Sequence, residues 1–222
     1  MANKYSSDLH LGHENITRNI RTQFHDVDEM DAYLIKQWNE HVDKDDDIWI
    51  VGDLSYRAKC NVKVYLDQMN GRHKHLIIGN HDVKWMKNVE LSRYFESVSH
   101  MEVIKDNKNR NITLCHYPLM EWSGSRYAKY SLDGTSWLIH GHIHNSKSCN
   151  AYYQIRDYLP CALNCGCDIN NYHPVTFEEL LENNDQFYYR LNSYRTLDVE
   201  EFFERSIVSN PEIHDYFMDG MK

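Results

Sequence analysis

The stretch SSDLHLGH, residues 6–13, holds Asp8 and His10 two positions apart. In an extended chain such side chains leave the same face, so a carboxylate oxygen and an imidazole nitrogen could close on one metal ion. Alone the pair means little, because D-x-H recurs by chance about once in a chain of this composition. Four further blocks change its weight. Gly52-Asp53, Gly79-Asn80-His81-Asp82, His116 and Gly141-His142-Ile143-His144 follow in order. Carboxylate and amide oxygens combined with imidazoles suit Mn, Fe, Zn and similar divalent ions, not a thiolate-selected metal.

Each block ends a short apolar run: DIWIVGD (47–53), KHLIIGNHD (74–82), NITLCHYP (111–118) and SWLIHGHIH (136–144). These runs predict strands, and ligands in α/β sheets gather at the carboxyl ends of strands. MEVIKD (101–106) and QFYYRLN (186–192) predict two more, with DNKNRN (106–111) as a polar hairpin turn after the first of them. Between the strands lie helix signals. Apolar residues at 27, 30, 33, 34, 38 and 42 make an amphipathic stripe, capped by Asp26 or Asp28. Residues 60–70 predict a helix burying Val62, Tyr65, Leu66 and Met69 and stopped by Gly71. Thr176 with Glu179 forms a capping box ahead of Leu180 and Leu181, and Asp198 with Glu201 another ahead of Phe202 and Phe203. Early alternation of strands and helices, with more hairpins later, predicts a mixed α/β sandwich.

The 222 residues suffice for one domain with a well-buried core, expected over 1–222 with the tail from about 206 peripheral. No apolar run approaches the roughly 18–20 residues that span a bilayer, and no secretory signal opens the chain, so a cytoplasmic location without membrane contact is expected. The net charge of −9 and the lack of a basic block argue against a dedicated nucleic-acid binder. Six cysteines at 60, 115, 149, 161, 165 and 167 raise a zinc reading through the last three. Their C-x3-C-x-C spacing lacks the usual C-x2-C pairs, and Cys165 and Cys167 alternate as on one buried strand face, which is the reading adopted.

The ordered series D-x-H, GD, GNHD, H, GHxH resembles the calcineurin-like metallophosphoesterase superfamily, its motifs spanning residues 8–144. LNCGCDINNYHPVTFEEL (163–180) resembles the stretch that closes the domain in small members. The resemblance implies a four-layer αββα sandwich of two mixed β-sheets flanked by helices, with the active site at strand C-terminal ends. It implies one ion held by Asp8, His10 and His144, a second by Asn80, His116 and His142, and Asp53 bridging them. Two ions about 3.5–4 Å apart clamp phosphoryl oxygens and turn a bridging hydroxide into the in-line nucleophile. His81 is then the acid that protonates the departing oxygen. The expected cofactors are two Mn²⁺ ions, with Fe, Zn, Ni or Co as substitutes. The expected substrate is a small, nucleotide-like phosphodiester or phosphomonoester.

His13 could orient substrate or a ligand, or be a plain loop histidine, and Arg57 could neutralise a phosphate or simply be a surface arginine. His140 is expected to pack within its strand, and His73, His75 and His173 to be solvated. Serine/threonine phosphatases of the superfamily carry GDxxDRG where this chain reads GDLSYRA. The aspartate that pairs with the acid histidine there is missing, so a protein phosphatase is not expected; which group, if any, supports His81 stays open, with Asp82 adjacent and equally suited to serving the turn. A nuclease with the same chemistry is the alternative, hinted at by Arg126, Tyr127, Lys129 and Tyr130, and a non-catalytic scaffold is the third reading. The loops over 17–26, 54–61 and 119–135 should wall the pocket. Oligomeric state has no signature in the sequence.

Overall fold

A computed structural model describes residues 3–128, 136–145 and 159–187, and those up to Asn184 belong to one compact unit. The strands are β1 (Asn3–Ser6), β2 (Asp47–Val51), β3 (His73–Ile77), β4 (Ser97–Ser99), β5 (Met101–Lys105), β6 (Asn111–Cys115), β7 (Ser136–His140), β8 (Ala162–Asn164) and β9 (Val175–Thr176). The helices are α1 (Glu14–Asn19), α2 (Val27–His41), α3 (Lys63–Leu66), α4 (Asp82–Met86), α5 (Ser125–Ala128) and α6 over residues 177–187. One sheet runs β4-β3-β2-β1-β9, parallel except for β9, which is antiparallel to β1. The other runs β5-β6-β7-β8, with β5 antiparallel to β6 and the rest parallel.

Both faces of β2 are buried, which is why DIWIV reads as continuously apolar. Ile48 and Ile50 join Leu76, Leu34, Trp38 and Leu66 in the layer between the first sheet and its helices. Trp49 and Val51 face the other way and meet Ile112, Leu114, Ile139 and Leu163 of the second sheet. On that sheet's far side, Cys115, Leu138 and Ala162 form a smaller cluster with Leu119 and Trp122. The result is the expected α/β sandwich of two mixed sheets flanked by helices. No helix among the described residues is long and apolar enough to cross a membrane.

Asp26 caps α2 by accepting from the Glu29 amide at 2.9 Å, and Met30, Leu34 and Trp38 face the core as their spacing predicts. Tyr33 instead turns outward, and Asp31 takes a buried place. Its two oxygens accept from the Gly12 amide at 3.0 Å each. Burial pushes the Asp31 carboxyl up to about 6, against the lowering effect of that hydrogen bond. Its unfolded value lies near 4, so ionising Asp31 costs the fold stability as pH rises from about 4 to about 6, and the cost stays constant above. Asp31→Asn removes that cost. Urea unfolding should show the variant gaining on the native chain by about 2–3 kcal/mol between pH 4 and pH 7. An equal difference at the two pH values would contradict this.

Four expectations need correction. The helix over 60–70 contracts to α3: Val62, Leu66 and Met69 are buried, but Asn61 ties its side chain to the Lys63 amide at 2.9 Å and the flanks become turns. The strand over 186–192 is absent at its start, because 186 and 187 are helical; residues 188–192 lie outside the described residues. Helix α6 begins at the predicted capping box, where the Thr176 amide donates to Glu179 at 2.8 Å, and runs past the local strand preference. Within it, buried Asn184 donates to the Leu180 carbonyl and accepts from the Asn164 amide. Cys165 and Cys167 are fully buried, but the strand stops at Asn164, and the two enter different clusters, Cys165 between the sheets and Cys167 under the helices. His73, His75 and His173 are half-buried, not solvated: His75 stacks on Trp49 at 4.2 Å and His173 on His41 at 3.7 Å. The second capping box and the tail lie outside the described residues.

The hairpin turn falls where DNKNRN predicts it, with the Asp106 carboxylate accepting from the Lys108 and Arg110 amides. His140 is fully buried in β7.

Candidate metal centre

Five strands end at one edge. Asp8 and His10 follow β1, Asp53 follows β2, Asn80 and His81 follow β3, His116 follows β6, and His142 and His144 follow β7. Among the described residues, three groups of donors lie close enough to hold an ion: Asp8, His10 and His144; His10, Asp53 and His81; Asp53, His116 and His142. Asp53 is shared by two of them.

The spacings match those of ligands around a cation. His10 Nε2 lies 3.2 Å from His144 Nε2 and 3.7 Å from Asp53 Oδ2. Asn80 Oδ1 lies 3.1 Å from His116 Nε2 and 3.0 Å from His142 Nδ1, and His116 Nε2 is 3.4 Å from Asp53 Oδ2. Ligand bonds of about 2.1 Å put neighbouring donors about 3.0–3.4 Å apart in octahedral or tetrahedral geometry. The imidazoles are also oriented for it. His116 Nδ1 donates to the Val51 carbonyl at 2.9 Å, and His144 Nδ1 to Asp168 Oδ2 at 2.8 Å, so each ring turns its Nε2 toward the cluster. Burial lowers the His116 pKa, but its hydrogen bond to Asp53 and the nearby carboxylates outweigh burial and raise it to about 9. Burial likewise pushes Asp53 up, and His116 outweighs it, bringing Asp53 down to about 2. The donor set fits divalent ions.

The glycines of the motifs have a steric reason. A Cβ on Gly52, whose φ is +89°, would sit 2.3 Å from His116 Nδ1, and one on Gly141 would sit 2.3 Å from Ser7 Oγ and 2.6 Å from Asp8 Oδ2. The backbone bends as sharply at the donors themselves: Asp8, His10, Asp53, His142 and His144 all have φ between +49° and +73°. Left-handed backbone costs a non-glycine residue about 1–2 kcal/mol and persists where the surroundings over-determine it. It lets short loops turn successive side chains into one space.

Those surroundings include residues that motif spacing does not reveal. Arg21 is fully buried and donates to the carbonyls of Asp8 at 2.5 Å and Leu9 at 2.7 Å, bracing the first loop. Its Nε meets Asp168 Oδ1 at 2.8 Å, and Asp168 in turn holds His144. Burial raises the Asp168 carboxyl, but the Arg21 charge and the His144 hydrogen bond outweigh it and hold the group well below the usual carboxylate range. Asp168 arrives by a junction of the two sheets, where Ser7 exchanges backbone hydrogen bonds with Cys165 and Cys167 at 3.0 Å. Asp82 serves its turn and more: its buried carboxylate accepts from the amides of Gly79, Asp53 and Leu54 and from the Trp85 indole. Asp168→Asn should lower the affinity of the ion at His144 by about 10–100-fold. Titration of the folded variant with Mn²⁺ checks this, and unchanged affinity would remove Asp168 from the site.

His81 lies at the rim, its Nε2 3.9 Å from Asp53 Oδ2 and its amide donating to Asp53 Oδ1 at 2.9 Å. Tyr56 occupies the position where GDxxDRG has its second aspartate, and its ring centre lies 3.9 Å from that of His81. An aromatic face thus stands where a carboxylate would. His13 is near the cluster, 5.6 Å from the His10 ring and edge-on to Tyr56 at 4.8 Å. Arg57 is exposed, with its guanidinium 5.0 Å from the Tyr56 ring centre. Lys129 and Tyr130 lie outside the described residues, so the basic-aromatic hint of the nuclease alternative has no geometry to add.

Two mixed sheets whose parallel strands deliver a shared carboxylate and a ring of imidazoles to one edge define the calcineurin-like metallophosphoesterase fold. No family model matches the chain. It is 33% identical over 160 residues to the Gene 66 protein of Mycobacterium phage L5, covering 64% of this chain and 76% of that one. A second Gene 66 protein, from Mycobacterium phage D29, is 31% identical over 160 residues, or 64% and 77% of the two chains. An uncharacterized protein of Methanocaldococcus jannaschii is 28% identical over 178 residues, covering 79% and 87%. Among solved structures, a protein of unknown function from Aquifex aeolicus superposes with a TM-score of 0.60 at 25% identity, over 80% of this chain and 96% of that one. The chain belongs to the family of the phage Gene 66 proteins.

Proposed function

We propose that this protein is a metal-dependent phosphoesterase hydrolysing phosphodiester or phosphomonoester bonds of small, nucleotide-like substrates. The observation that carries the reading is the Asp53 carboxylate, which faces His10, His116 and His81 at 3.7, 3.4 and 3.9 Å. In this reading Asp8, His10 and His144 hold one divalent ion, Asn80, His116 and His142 hold the second, and Asp53 binds both. The ions are Mn²⁺, with Fe, Zn, Ni or Co able to replace them. When bound, such a pair polarises the phosphoryl oxygens and makes water nucleophilic near neutral pH.

The remaining work falls to the chain. His81 donates a proton to the oxygen that departs, which matters most for alkoxides that leave poorly. Its backbone amide bonds to Asp53, which ties the acid to the cluster, while the Tyr56 ring packs against the imidazole. Arg57 and His13 contact substrate. The protein works in the cytoplasm as a single domain.

Metal analysis of the purified chain, with turnover of bis(p-nitrophenyl) phosphate and p-nitrophenyl phosphate in added Mn²⁺, tests the proposal. Two ions per chain and turnover of one or both esters are expected. Bound metal without turnover of either rejects small-ester hydrolysis. Less than about one ion per chain after reconstitution revives the scaffold reading.

A further inference from the structure

Beside His81 opens a cavity of about 590 Å³, bounded by the loop after β2 and by α4. Its wall includes Tyr56, Arg57, Asn61, His81, Lys84 and Asn88. The chain has 33 acidic residues and a net charge of −9, yet no residue lining this cavity is acidic. Arg57 and Lys84 are both exposed, and among the described residues neither pairs with a carboxylate. The nearby Asp82 is not available to them, since its oxygens are taken by three amides and an indole. The cavity is therefore a cationic recess in an otherwise acidic protein.

We infer that this recess receives the leaving group of the substrate, and that Arg57 and Lys84 select leaving groups carrying a phosphate of their own. The inference rests on the phosphoesterase reading, because it is His81 that fixes which side the departing oxygen occupies. A side chain that protonates that oxygen must face it, and His81 lines this cavity. The volume lies within the range of pockets that enclose a small-molecule ligand. Two cations from different elements suit a phosphate monoester, with its charge near −2 and three acceptor oxygens, better than a single carboxylate. Arg57 offers a planar fork and Lys84 a point charge, while the Asn61 side chain is spent within the wall, accepting from the Lys63 amide and donating to the Asn88 carbonyl. The substrate class that follows is a phosphoric ester between a phosphoryl group and a second, already phosphorylated moiety, such as a nucleotide.

Calorimetric binding to the Mn²⁺-loaded full chain tests this without relying on turnover. The probes are AMP, ADP and adenosine 3′,5′-bisphosphate, which share a nucleoside and differ in a second phosphate. At least one doubly phosphorylated probe should bind tenfold or more tightly than AMP. In Lys84→Ala and in Arg57→Ala, that ratio should fall below about threefold. Taking the ratio within each variant cancels any general loss of affinity, and both residues are exposed, so the variants should fold. Equal affinity for all three probes, or a ratio unmoved in both variants, overturns the inference. Failure of the underlying reading looks different: the native chain then turns over neither p-nitrophenyl ester.

Discussion

Asp53→Asn should strip the protein of metal and of activity together. The substitution keeps the shape of the side chain and removes its charge. One of the two terminal atoms becomes an amide nitrogen, which cannot bind a cation while its hydrogens point outward. Oδ1 already accepts from the His81 amide, which directs the replacement oxygen there and turns the nitrogen toward His10 and His116. Substituting an outer partner of a metal ligand costs about 10–100-fold in affinity or activity, and losing a shared ligand should exceed that. The expected result is fewer than one ion per chain after dialysis and a fall in turnover of more than about 100-fold. A variant that keeps two ions would show that the carboxylate does not join the two halves of the site.

For His81→Ala the expectation is the opposite split: both ions stay, and turnover slows by about 10²–10⁴ on esters with poor leaving groups. p-Nitrophenolate departs without needing a proton, so its esters should lose much less. The comparison is a series of phosphate esters of graded leaving-group pKa, assayed on native and variant protein at equal metal content. His81 also forms a donor group with His10 and Asp53, and a ligand role there predicts loss of an ion in place of a leaving-group trend. A uniform slowing across the series, with metal retained, would end the case for His81 as the acid.

The donors of the centre were legible because each interrupts an apolar run at a strand end, and a parallel sheet delivers all such ends to one edge. The left-handed backbone explains why D-x-H and GHxH keep their close spacing outside the strands: both members of each pair sit in bends, not on an extended face. Arg21 and Asp168 were not legible. They lie 147 positions apart, and no local pattern announces a pair made by tertiary packing. Asp168 falls within the CDIN segment, but nothing in its neighbours marks it as the partner of His144. Tyr56 could be seen only as a missing aspartate, since stacking leaves no trace in spacing. The helix over 60–70, and the strand reading at residues 186 and 187, failed where side-chain hydrogen bonds of Asn61 and Asn184 competed with periodicity and propensity.

The tautomers of His116 and His144 are set by a carbonyl and a carboxylate of the protein itself. Both rings therefore keep Nε2 directed at the cluster through contacts that involve no cation. Imidazole, amide and carboxylate donors suit several divalent ions of similar size, so the donor types alone do not single one out. Which element works in the cell then becomes a matter of supply. Protein isolated from cultures grown with different trace elements should carry different ions while keeping one backbone.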